Sequence, residues 1–112
     1  MDTVSQEIKM TASPITLPET IPASDREIEM VRLYKVILLD DNVTTFDFVI
    51  RILKSIFQKD QLTALKLTME VHYDGLSHVV TLPREQAELR QTQVHDAARL
   101  EGFPFRCVIE PA

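Results

Sequence analysis

Apolar and polar positions alternate legibly from Leu33 onward. Leu33 to Leu39 is β-rich and nearly all apolar, and it stops on Asp40, Asp41 and Asn42, which predicts a buried central strand. Thr44 followed three residues later by Asp47 has the spacing of a capping box with the shorter acid. Phe48, Val49, Ile52, Leu53, Ile56 and Phe57 then recur at helical intervals, predicting a strongly amphipathic helix. A second helix is predicted from Asp60 or Gln61 to Tyr73, with Leu62, Leu65, Met69 and His72 on neighbouring turns and Gly75 as its exit. Leu76 to Leu82 reads as a strand. Pro83 suits the first turn of a third helix, Arg84 to Leu100, with apolar positions Ala87, Val94, Ala97 and Ala98, ended by Gly102 and Pro104. Phe105 to Ile109 closes as a last strand. The order β-α-α-β-α-β implies a small two-layer α+β domain, a three-stranded antiparallel sheet packed against helices.

Composition narrows this picture. The chain has 112 residues, of which 45% are apolar, and a net charge of -5. One small core is expected, and the negative balance gives no footprint for nucleic acid or an anionic membrane surface. Residues 1–31 differ from the rest: Pro14, Pro18 and Pro22 fall there, without glycine or aromatic residues, and its six acids stand against Lys9 and Arg26. We expect a flexible acidic N-terminal extension there and a core domain over 32–112. The extension is either an unstructured leader or a segment whose Ile15, Leu17 and Ile21 dock on a partner. Cys107 is the sole cysteine, so no internal disulfide is available. No apolar run approaches the roughly 20 residues of a membrane span, and no signal or transit pattern opens the chain. The expectation is a soluble, cytoplasmic protein without membrane contact.

Each candidate for chemistry has a plain structural alternative. Asp40, Asp41 and Asn42 are common strand-ending residues, because such side chains hydrogen-bond the local backbone. Adjacent carboxylates at a helix entrance also repel one another, which favours either the helix dipole or a visiting cation as their partner. A calcium loop is excluded: Thr45 stands where the turn requires glycine and Arg51 where it requires a bidentate glutamate. His72 is either a residue at a helix C-terminus or part of a site, and His78 and His95 read as surface positions. No Cys or His pair has zinc-ligand spacing, so no metal is expected. Cys107 reads as a small buried hydrophobe rather than a nucleophile. No nucleophile elbow, P-loop or dinucleotide fingerprint is present, so no catalytic residue and no cofactor are expected.

The runs YKVILLDDNVTTFDFVIRIL, MEVHYDG, PREQAELR and FPFRCVIEPA together resemble the ClpS family, bacterial adaptors that deliver N-end-rule substrates to the Clp AAA+ protease. The resemblance extends from Leu33 to Ala112. It implies a core that grips a protein's α-amino group through acidic loop residues and a histidine, beside a pocket for a large hydrophobic side chain. By this resemblance Asp41 and His72 match the amine-binding aspartate and histidine, and Asp40 stands in the same loop where the family usually has Asn. Asn42 stands where it usually has Asp. The pocket wall corresponds to Leu38, Thr44, Phe46, Val49, Thr68, Val71 and Phe105, with Phe46 and Thr68 replacing methionines common in the family. Glu85 and Arg90 correspond to charged positions that contact the N-terminal domain of the unfoldase.

The function this implies is a non-enzymatic adaptor, acting as a monomer, that binds the free amine and bulky hydrophobic first residue of N-degron substrates and docks on a ClpA- or ClpC-like unfoldase. An α-amino group with an ordinary pKa of about 7.7 to 8.0 is largely cationic at neutral pH and suits carboxylate partners. Two alternatives stay open. One is a module that binds the unfoldase and alters its substrate choice without reading N-termini; the other is a small hydrolase built on Cys107 and a histidine.

Overall fold

In the computed structural model, which describes residues 31–112, the strand β1 (Leu33–Leu39) lies in the middle of a three-stranded sheet. It pairs antiparallel with β2 (Leu76–Pro83) on one side and with β3 (Arg106–Pro111) on the other. The central place follows from composition, since an almost uninterrupted apolar run is soluble only when covered. Val36 and Leu38 are fully buried in consequence. The register with β2 slips between Val36 and Ile37, so Val79 is the extra residue of a bulge. Residues Arg32–Ala112 form one compact unit. The acidic extension expected over residues 1–31 lies outside the described residues, apart from Val31.

Three helices cover the sheet: α1 (Phe46–Ser55), α2 (Gln61–Asp74) and α3 (Arg84–Glu101). Helix α1 buries Phe48, Val49, Ile52 and Leu53, the stripe its periodicity predicts. Its ring at Phe48 meets Phe103 and Phe105 edge to face, with centroids 5.1 and 6.0 Å apart. Helix α3 contributes Ala87, Val94 and Ala98, whose small side chains let it lie close to the strands. Ala97, grouped with them in the sequence, is only half-buried.

Helix boundaries correct the reading in detail. The N-cap of α1 is Thr45, whose Oγ1 accepts the Phe48 N–H at 3.2 Å, and not Thr44. Thr44 is unavailable because its hydroxyl and N–H are both committed to Asp41. Helix α1 also stops at Ser55, short of Phe57, and Gln58 takes a left-handed φ of 54° that lets the Lys59 N–H reach the Leu53 carbonyl at 2.9 Å. In α2 the buried positions are Ala64, Thr68 and Val71. The turn-to-turn stripe of Leu62, Leu65 and Met69 is not the core face; Leu62 is 78% exposed. The helix carries apolar residues on both flanks, so periodicity alone does not say which of them the sheet covers.

His95 is corrected too. It is half-buried, and its Nε2 accepts the Cys107 N–H at 3.1 Å, while Gln91 one turn earlier donates to the Cys107 carbonyl at 3.0 Å. Two side chains of α3 thus satisfy backbone groups along the outer edge of β3, a position where an unpaired strand invites association. His78 is exposed, and its Nε2 meets the Thr81 hydroxyl at 2.8 Å.

Candidate functional site

The loop after β1, the start of α1 and the last turns of α2 converge on a cavity of about 210 Å³. Asp40, Asp41, Asn42, Thr44, Phe46, Val49, Thr68, Val71, His72 and Phe105 line it. Residues distant in the chain meet there for a topological reason: β1 and β2 are neighbours, so the end of β1 lies beside the exit of α2. The Asp40 N–H donates to the Gly75 carbonyl at 3.0 Å and fastens the two segments together. Gly75 caps α2 with a left-handed φ of 87°, a conformation that costs glycine least.

Asp41 is held by its own loop. Its Oδ1 accepts the N–H groups of Val43 and Thr44 at 2.8 and 2.7 Å, and its Oδ2 accepts the Thr44 hydroxyl at 2.7 Å. Burial pushes this carboxyl up, but the hydrogen bonds from Thr44 and Val43 outweigh it and leave the group below the usual aspartate range. A carboxylate offers roughly four lone-pair sites, so an Oδ2 position stays open for a cationic donor. Asp40, beside it, is exposed and adds negative charge at the mouth.

Much of the remaining lining is apolar. Val49, Val71 and Phe105 are buried, and Phe46, the first residue of α1, is 41% exposed at the rim. Thr68 is buried, and its hydroxyl donates back to the Ala64 carbonyl at 2.7 Å, so its polarity is absorbed by its own helix. His72 stands in the last turn of α2, edge to face with Phe46 and Tyr73. The arrangement pairs negative charge with an apolar recess. It suits a ligand that carries a cation at one end and a hydrophobic group next to it.

Of the pocket positions inferred from the sequence, only Leu38 is absent from the lining; it is fully buried in β1. Asn42, a strand-ending residue and a departure from the family's loop in the sequence, lines the cavity as well. Glu85 and Arg90 lie on α3, away from the cavity, with Arg90 donating to Gln93 at 3.3 Å. Cys107 is fully buried, and burial raises its thiol to about 12, so it is no thiolate at neutral pH. Among the described residues no group of three or more His, Cys, Asp or Glu side chains is placed to hold a metal ion, and no helix is long and apolar enough to cross a membrane.

A small α+β core with a cleft that sets carboxylates beside apolar side chains is the class of domain that fold and site define. The chain belongs to the ClpS family: residues 29–108 match the family model described as ATP-dependent Clp protease adaptor protein ClpS. The ATP-dependent Clp protease adapter protein ClpS of Nautilia profundicola is 44% identical over 92 residues, covering 82% of this chain and 95% of that one. Its counterpart in Campylobacter jejuni strain RM1221 is 37% identical over 94 residues, covering 84% and 98%. The structure also resembles that of Agrobacterium tumefaciens ClpS2 bound to L-phenylalaninamide, with a TM-score of 0.71 and 34% identity over 72% of this chain and 98% of that one.

Proposed function

We propose that this chain captures proteins by a free N-terminal amine and a bulky hydrophobic first residue and presents them to a Clp AAA+ unfoldase. The observation that carries this reading is the cavity itself, whose lining sets the carboxylates of Asp40 and Asp41 and the His72 ring beside the apolar Phe46, Val49, Val71 and Phe105. L-phenylalaninamide, the ligand of the Agrobacterium relative, has this same chemistry of an amine beside an aromatic side chain.

The energetics suffice. Burying one Leu or Phe side chain contributes roughly 1.5 to 3 kcal/mol, and each charge-assisted hydrogen bond roughly 1.5 to 3 kcal/mol. After the entropic cost of association, roughly micromolar affinity is within reach. Acetylating the ligand's amine removes the cation and leaves acceptors unmatched, so discrimination against blocked peptides should be large. Glu85 and Arg90, away from the cavity, supply the docking contacts for the unfoldase's N-terminal domain in this reading, and residues 1–31 act during hand-off. The adaptor itself needs no catalytic group.

Fluorescence anisotropy with labelled peptides that differ only at residue one, each with a free and an acetylated amine, tests the reading. Binding confined to free amines with Leu, Phe, Tyr or Trp first is expected. Absence of binding across the set, with unfoldase binding intact, would instead favour a module that changes the unfoldase's substrate choice.

A further inference from the structure

Phe46 opens α1 and His72 closes α2, so the contact between their rings crosses from one helix of the cleft to the other. The centroids are 5.0 Å apart and the planes meet at 72°; His72 makes a second such contact with Tyr73, at 4.8 Å and 74°. Among the described residues the hydrogen bonds to histidine rings are those of His78 and His95, and none engages His72. Ring packing is therefore what orients the His72 imidazole. The torsion that turns a histidine ring is broad, and His72 is exposed. A ligand would otherwise have to remove that freedom as it binds.

We propose that Phe46 is a positioning residue for His72: its ring presets the imidazole in the orientation in which it lines the cavity, before any amine arrives. The role is additional to forming pocket wall, and it rests on the cavity being the amine site. It also gives a reason for a ring where the family pattern leads one to expect methionine. Three rotatable bonds and a thioether fill space well but hold a neighbour loosely, whereas an edge-to-face pair fixes an angle.

The test uses the full chain, a labelled peptide with Leu first and a free amine, and a double-mutant cycle. Phe46→Leu should weaken binding roughly two- to tenfold, the range of one aromatic pair, and Phe46→Tyr, which keeps the ring, should restore it. In a His72→Gln background Phe46→Leu should cost clearly less, leaving only the share that the lost wall accounts for. Equal losses in both backgrounds would overturn the proposal and leave Phe46 as wall alone. Carbon relaxation of the His72 ring in the ligand-free protein provides an independent arm: its order should fall in Phe46→Leu and persist in Phe46→Tyr, and unchanged order in Phe46→Leu would defeat the clamp. Should the parent chain bind no free-amine peptide, the amine reading fails on its own, and the ligand-free relaxation decides the clamp.

Discussion

Asp41 serves two demands with one carboxylate. Its three local hydrogen bonds shape the loop, and the same side chain belongs to the cavity lining. The sequence offered these as rival readings, a turn residue or an amine partner, because spacing says nothing about how many lone pairs a turn consumes. Asp41→Ala should therefore abolish peptide binding and also lower stability by about 1 kcal/mol through the loosened loop, read by anisotropy and urea unfolding on the same sample. The pH dependence has a definite sign. Because the folded-state value is depressed, Asp41 binds its proton more readily when unfolded; its stabilisation is present above the ordinary value of 3.8 and is lost as pH falls below it. Asp60, held by Thr63, acts in the same direction. The urea midpoint should fall between pH 5 and 2, less steeply in Asp41→Asn, and an identical slope would show that the loop bonds do not persist in solution. Cys107 gives the complementary residue-scale expectation: with the thiol buried and raised to about 12, a thiol reagent should label the chain only after unfolding.

The elements were legible where periodicity or end chemistry acts alone. Gly75 marks the end of α2 in the sequence, and the structure gives the reason in its φ of 87°. An added Cβ at Gly75 meets nothing within 4 Å, so Gly75→Ala should destabilise through backbone strain alone. We expect a loss of about 1 to 2 kcal/mol, seen as a drop in Tm of several degrees. The start of α1 was misplaced by one residue because Thr44 and Thr45 are equally able to cap; Asp41 claims Thr44, and only the folded loop reveals that. Thr45→Ala should cost about 1 kcal/mol, whereas Thr44→Ala should act through Asp41 and show in peptide affinity. In α2 the sequence could not separate the covered flank from the exposed one, since Leu62 and Leu65 are as apolar as the buried Val71 and more apolar than Thr68. Volume explains the choice: Ala64 and Thr68 let the helix approach its neighbours, and leucines in those places would hold it away.

At the scale of the described residues, the cavity and the proposed docking positions fall on different elements. The cavity draws on β1's loop, α1, α2 and Phe105, and Glu85 and Arg90 belong to α3. The double variant Glu85→Ala, Arg90→Ala should lose affinity for the unfoldase's N-terminal domain and keep its affinity for a Leu-first peptide. Failure of both together would point to a damaged fold rather than a docking surface.

The chain's own pattern determined which segments are strand and which are helix, the central place of β1, the inert character of Cys107 and the acidic loop that follows the strand. These follow from local rules: spacing of apolar residues, helix-ending glycines and the solubility of an apolar run. The tertiary structure alone decided which flank of α2 is covered, that Thr45 caps α1, that His95 and Gln91 close the edge of β3, and that Phe46 rests on His72. Each of these depends on a partner distant in sequence or on competition between neighbours for one hydrogen bond, and such contacts exist only once the sheet has brought its two ends together.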